Sequence, residues 1–336
     1  NTQNIGDFDV DWKSNLIVVG TGENNSSRSS YSGIGILKSN DNGKSWENIG
    51  LKDSHHIGKV KINPNNPDEI IVGVIGHLYS KNSQRGIFKT KDGGKSWSNT
   101  LFIDGDTGII DLDVDKNNFN IQFASSWERE RKAWDFKGNG DKSGIYKSKD
   151  AGDTWELVSN QESGFLFGEG VGRIGVAVYD EKTIYAIVDN QFRRPIKEKK
   201  KNVGIDKNYF ESISKEDFNN IDKKELNGFL RRNGFPEKYD ANKVKDLVSS
   251  GTILPIDLKL YLEDANTVMF ETPIVGAEVY RSDDGGVTWT KKNSYYLDYL
   301  YNTYGYYFGR IHVSPVNKDH IYIYGVPFVK STDGGV

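Results

Sequence analysis

The chain contains no cysteine and a single methionine. Structural disulfides, thiolate metal centres and a cysteine nucleophile are therefore excluded, although a lack of cysteine assigns no compartment. No apolar run is long enough to cross a bilayer. An excess of charge of either sign is also missing, since 44 Lys and Arg face 47 Asp and Glu for a net charge of −3. That balance argues against a general nucleic-acid binder, which carries a basic stripe. The one dense basic segment runs from Arg193 to Lys201 and reads as a solvated loop. A signal segment is not visible ahead of Asn1, so any targeting sequence is expected to lie outside this chain.

Aromatic residues and glycine are plentiful instead, with 7 Trp, 18 Tyr, 16 Phe and 36 Gly. This composition suits many short strands joined by turns. Comparing the chain with itself exposes a short repeat. It reads Ser39-Asn-Asp41-Asn-Gly43-Lys-Ser45-Trp46, then Thr90 to Trp97 around Asp92, Ser148 to Trp155 around Asp150, and Ser282 to Trp289 around Asp284. A further copy begins at Ser331 with Asp333 and runs to the last residue, Val336. The physics of the motif is local. The aspartate accepts N–H groups inside its own turn, glycine supplies positive φ, and the tryptophan opens the next strand and is expected to bury its ring. The motif thus specifies a hairpin.

Upstream of each copy lies a strand-turn-strand pattern, as in Ile57 to Val72 and Gly309 to Ile323. The unit is four strands over about 50 residues, the period of a propeller blade. The fold expected is all-β, a β-propeller of four-stranded blades spanning residues 1–336. Four blades and the first three strands of a fifth are present, so the natural chain is expected to continue beyond Val336 with more blades or domains. The interval from Asp150 to Asp284 is more than twice the others and holds an insertion, placed at 193–265 within blade four. Ser214-Lys-Glu-Asp217 resembles a capping box. Phe218, Ile221, Leu226, Phe229 and Leu230 follow at helical spacing, with Asn233-Gly234 and Pro236 as the stop. Further helices are expected over Ala241–Val248 and Ile256–Glu263, their apolar faces packing on each other and on the propeller rim.

The repeated motif carries a resemblance to the Asp-box (BNR-repeat) propellers, a group that includes sialidases, xyloglucanases, sortilin ectodomains and a photosystem II assembly factor. Segments such as Val19 to Asn25, His56 to Val60 and Gly276 to Gly286 make the chain most similar to sortilin-like or "glycosyl hydrolase"-labelled secreted propellers of Bacteroidetes-type bacteria. The resemblance implies a secreted or cell-surface protein with a protein or carbohydrate ligand. It does not choose an activity, because Asp boxes serve unrelated functions. Three readings follow: a binding module of sortilin type, a glycoside hydrolase, or a scaffold for neighbouring domains. The Arg-Ile-Pro motif of sialidases is missing; Arg173 and Arg310 stand in Arg-Ile-Gly and Arg-Ile-His.

In such a blade the Asp box joins the third and fourth strands, so the aspartates and tryptophans Asp41, Trp46, Asp92, Trp97, Asp150, Trp155, Asp284, Trp289 and Asp333 are structural. A ligand site is expected on the opposite loops. These offer Glu23, Asn24, Arg28, His56, His77, Trp127 and Arg129, with Arg173 and Arg310 one residue into innermost strands. Aromatic faces stack on sugars while carboxylates and guanidiniums hydrogen-bond. A glycosidase needs two carboxylates; candidates are Glu23, Glu128, Asp135 and Asp189, with Glu169 beside them. No cofactor is expected. Asp104 to Gly108 and Asn139 to Asp141 are oxygen-rich turns able to hold Ca²⁺, without EF-hand spacing. His55 and His56 point to opposite faces of a strand, so a zinc site there needs ligands from elsewhere; no metal is assigned.

Overall fold

A computed structural model describes residues 4–195, 204–262, 274–301 and 304–336. Among the described residues five antiparallel blade sheets follow one another along the chain, each a meander in which sequential strands are neighbours, and a sixth, two-stranded ladder lies in a loop. Blade one comprises Ile5–Asp11, Leu16–Thr21, Ile36–Ser39 and Glu47–Asn48. Blade two comprises Ile57–Asn63, Asn66–Val74, Gly86–Thr90 and Ser98–Leu101. Thr107–Asp115, Asn118–Glu128, Ile145–Ser148 and Glu156–Leu157 form blade three, and Val171–Val178, Ile184–Arg193, Ile274–Ser282 and Thr290–Lys291 form blade four. Blade five has the three strands Arg310–Val313, Ile321–Tyr324 and Phe328–Ser331. The fold is a β-propeller of Asp-box blades, as the repeat predicts.

Burial on both faces of a strand explains the unbroken apolar run Ile70-Ile71-Val72. Ile70 and Val72 pack with Val18, Ile36 and Ile57 toward blade one. Ile71, pointing the other way, packs with Ile87, Ile109 and Leu112 toward blade three. The same division recurs in blade four, where Ala186 and Val188 join the interface with blade three, and Tyr185 and Ile187 the interface with blade five.

The innermost strands carry a polar ladder that the sequence pattern did not predict. Asp7 and Asp9 accept hydrogen bonds from Val60 N (2.9 Å) and Ile62 N (2.8 Å) of the next blade. Asp111 and Asp113 do the same to Val176 N (3.2 Å) and Val178 N (2.8 Å). Lys61 bridges the intervening blades through Asp113 at 2.8 Å, and Lys59 lies 3.6 Å from Asp111. Burial alone would raise the Asp113 carboxyl, but the Lys61 charge and the hydrogen bonds outweigh it and hold it low. The alternation Asp-x-Asp and Lys-x-Lys reads as a solvent face in one strand; only the ring of blades turns it inward.

The four complete Asp boxes are built the same way. In the second, Thr90 Oγ1 donates to Asp92 (2.7 Å) and accepts from Gly94 N (2.9 Å), while Ser96 N and Ser96 Oγ donate to the Asp92 carboxylate at 2.9 and 2.6 Å. Gly94 adopts φ +95°, and a Cβ there would lie 2.6 Å from Ile49 Cδ1. The tryptophans lie unequally. Trp289 is buried against Phe165, and Trp97 donates to Ile49 O of the preceding blade. Trp46 is 45% exposed, contrary to the expectation of burial. Blade one has no earlier linker among the described residues for that ring to cover.

Residues Arg194–Pro273 form a separate compact unit. The single helix expected after Ser214 is two, α1 (Lys215–Asn220) and α2 (Lys223–Arg232). Ile221 turns extended, with ψ 137°, and Asp222 then caps α2 by accepting from Lys224 N and Glu225 N. An unpredicted 3-10 turn covers Lys207–Glu211; α3 spans Ala241–Ser249 and α4 Ile256–Leu262. Glu263 lies outside the described residues. Phe210, Phe218, Phe229, Leu230, Val244 and Leu258 give this unit its own core.

Candidate ligand-binding face

The loops opposite the Asp boxes in blades one to three bring together arginines from different parts of the chain. Arg85 immediately precedes Gly86, which opens the third strand of blade two at φ +109°. Arg129 and Arg131 follow the long second strand of blade three, where a small ladder of Glu130–Arg131 against Phe136–Lys137 stiffens the loop. All three arginines line one concavity of about 200 Å³, together with His77, Tyr79 and Asp106.

Two of these guanidiniums are buried without an ion pair among the described residues. Arg85 is 1% exposed; its donors reach Asp106 O and His77 O at 2.9 Å and Asn82 Oδ1 at 3.3 Å. Arg129 is 3% exposed; among the described residues Nη2 has only the long contacts to Gly76 O (3.3 Å) and His77 O (3.5 Å), and Nε and Nη1 have no hydrogen-bond partner. Burial pushes the Arg129 guanidinium well below its usual range, and the charges of Arg85, Arg131 and Arg173 add to that shift. Arg85 is lowered to about 10, again by burial first. A buried cation facing carbonyl dipoles rather than a carboxylate is costly, and an anionic group entering the concavity would relieve that cost.

A second concavity of about 350 Å³ shares Arg131 and is lined by Arg28, Trp134, Asp135, Phe136 and Tyr306. Arg131 lies 4.2 Å from the Phe136 ring centre and donates to Ser26 O at 2.9 Å. Trp134 is 84% exposed, so its ring is free to stack. Arg28 is placed from across the face, its carbonyl accepting from the Tyr79 hydroxyl at 2.7 Å.

Other residues singled out in the sequence lie deeper or elsewhere. Trp127 is fully buried with Ile75 and Ile110, and its indole N–H donates to Gly138 O at 2.9 Å. It supports the face from beneath, between Arg129 and Arg173, rather than offering a stacking surface. His56 is also buried; Nδ1 meets Glu23 O at 2.8 Å, and burial with the nearby Arg129 charge lowers its pKa to about 3, so the ring is neutral. Asn24 donates to Gly6 O at 2.7 Å. Arg173 is buried and binds Tyr306 O and Tyr307 O at 3.1 and 3.0 Å; burial lowers it to about 9, with Arg310 adding to the shift. Arg310 sits on the axis, 4.0 Å from Asp111.

The carboxylates are dispersed. Glu128 is held by Lys137 (3.0 Å) and Lys142 N (3.2 Å). Asp135 is exposed and accepts from Phe136 N, and Glu169 is exposed. Asp189 is 3% exposed in blade four, hydrogen-bonded through Oδ2 by Gln191 at 2.7 Å, with Oδ1 unpartnered among the described residues. Of the oxygen-rich turns, Asp104 Oδ1 accepts from Asp106 N and Thr107 N, Asp104 Oδ2 pairs with Lys142, and Asp106 pairs with Lys81. Sequence reasoning missed Arg85, for which the Arg before a strand-opening Gly was the available signal.

Residues 35–235, more than half of the chain, match the Sortilin-Vps10 family, described as sortilin, neurotensin receptor 3. Residues 280–291 match the BNR/Asp-box repeat. No curated protein sequence matches the chain. Among solved structures, the GH74 enzyme of Niastella koreensis is similar over 99% of this chain and 38% of its own, at 16% identity and TM-score 0.53. The GH74 xyloglucanase of Xanthomonas campestris is similar over 97% of this chain and 36% of its own, at 14% identity and TM-score 0.52. The chain thus spans less than half the length of either, and at such identity the likeness is one of fold. Among the described residues, no helix is long and apolar enough to cross a membrane.

Proposed function

Because this chain belongs to the sortilin (Vps10) family, we propose that it is a binding module of a secreted or surface-exposed protein, recognising protein or glycan ligands through the loop face of blades one to three. One observation carries this reading. Arg85 and Arg129, buried and without a carboxylate partner among the described residues, line a concavity that meets an aromatic one at Arg131. The ligand these groups fit carries an acidic group beside a stackable ring or sugar face. The family description, that of a receptor, supports the same reading.

Arrays of acidic and neutral glycans and peptides, followed by titration of the best ligands, test it. Acidic ligands are expected to dominate, to weaken as salt rises, and to lose affinity about tenfold or more in Arg131→Ala and Trp134→Ala, consistent with hot-spot losses of 1–2 kcal/mol. Binding indifferent to both substitutions would refute this assignment of the face. Glycoside hydrolysis has one observation in its favour, the Asp189 carboxyl raised to about 6 by burial, in the range of a general acid. Release of reducing sugar that disappears in Asp189→Asn would establish that reading in place of binding alone.

A further inference from the structure

We propose that Asp53, His55 and His77 form a binding site for a divalent transition-metal ion of the zinc class. The proposal does not depend on the binding reading above. One ligand atom from each residue lies within 4.8 Å of the others. Asp53 Oδ1 and His77 Nε2 are 3.1 Å apart, close to the separation of neighbouring ligands around zinc, about 3.3 Å for tetrahedral bonds of 2.0–2.1 Å.

The surroundings are arranged as around a metal. Ser80 Oγ lies 2.8 Å from His77 Nδ1, so the far nitrogen, Nε2, is the one turned to Asp53. Asn82 ties the two ligand-bearing segments together: its Oδ1 accepts from His77 N at 3.1 Å and its Nδ2 donates to Asp53 O at 2.9 Å. Gln84 Oε1 accepts from Asp53 N at 2.9 Å. Two side chains therefore hold the linker between blades one and two against the following loop at the point where the ligands meet.

His55 arrives through an uncommon backbone conformation, φ +56°, which separates it from its neighbour. His56 turns inward to Glu23 O, and His55 turns to His77, the rings stacking with centroids 3.7 Å apart and planes 21° from parallel. His55 and His56 precede the strand that opens at Ile57 rather than lying on it, so they diverge through the His55 backbone and not through strand alternation, and Asp53 and His77 are the further ligands beside His55. The two imidazole planes are near parallel, so His55 would join the ion only once its ring rotates out of the stack. Two imidazoles and one carboxylate favour zinc, nickel or copper over calcium or magnesium.

Titration of the metal-stripped chain with Zn²⁺, read calorimetrically and by competition with a chromophoric chelator, tests the site. One ion per chain is expected with a Kd in the micromolar range or tighter, unaffected by millimolar Mg²⁺ or Ca²⁺. Co²⁺ is expected to give visible d–d bands. Asp53→Asn, at an exposed position, and His77→Gln are each expected to weaken Zn²⁺ binding at least tenfold and remove the Co²⁺ bands, while His320→Ala leaves both unchanged. Circular dichroism checks that the variants fold. Absence of one-to-one binding, or equal affinity in folded Asp53→Asn and the parent chain, overturns the proposal.

Discussion

Asp189 is a carboxylic acid placed where its charge is disfavoured. Burial raises its pKa to about 6, and the hydrogen bond from Gln191 and the charge of Arg173 offset only part of that. The unfolded chain ionises near 3.8. Ionisation therefore costs the folded state more, so the contribution of Asp189 to stability is greatest in acid and falls as pH rises through about 4 to 6. Asp189→Asn keeps an acceptor for Gln191 and removes the charge. It is expected to be more stable than the parent by about 1–3 kcal/mol at pH 7.5 and no more stable near pH 4. Urea unfolding at both values measures this; an equal difference at both would show that charge is not the cause. Asp284 behaves oppositely. Burial would raise its carboxyl, but Thr288 and Ser282 hydrogen bonds lower it. Asp284→Ala leaves Thr288 N without its acceptor and is expected to cost about 1–3 kcal/mol at neutral pH. The contribution is present above pH 4 and lost as pH falls through the lowered pKa, so the penalty shrinks in acid, which thermal melts at pH 7 and pH 3 would register.

Neighbouring blades are joined at the axis by side chains that satisfy backbone donors of the next strand. Asp113 serves both Val178 N and Lys61. Asp113→Leu leaves the half-buried Lys61 ammonium and Val178 N without their partner and is expected to cost about 1–3 kcal/mol, whereas the double change with Lys61→Met costs less than the sum of the singles. A double-mutant cycle by denaturant unfolding measures the coupling, and strict additivity would contradict the pairing. The helical segment shows the complementary lesson. Its apolar spacing reads through Ile221, but Asp222 caps a new helix there, and a local capping hydrogen bond overrides continuous periodicity.

Within the whole molecule, residues Arg194–Pro273 are a compact unit with their own core, and the strands they separate pair directly, Arg193 with Ile274. Replacing that segment by a short Gly-Asn turn shortens the loop closed by this hairpin, a gain of roughly 3 kcal/mol in chain entropy. The unfolding midpoint of the β structure is therefore expected not to fall. A marked drop, followed by circular dichroism, would show that the blades rely on the helical unit.

The sequence alone determined the blade, because an Asp box is a turn whose partners lie within a few residues, and local hydrogen bonds are legible in local order. It also placed the functional search on the loops opposite those turns. Only the tertiary structure decided what stands on that face. Trp127, an apparent stacking residue, lies within the second strand of blade three and is core, and Arg85, unremarked in the chain, lines the same concavity as Arg129. His55 meets His77 and Asp53 through a backbone kink that residue types do not predict. Contacts between distant segments depend on the ring of blades, and burial of charge, which sets the chemistry of Arg129 and Asp189, is a property of that ring rather than of any segment in it.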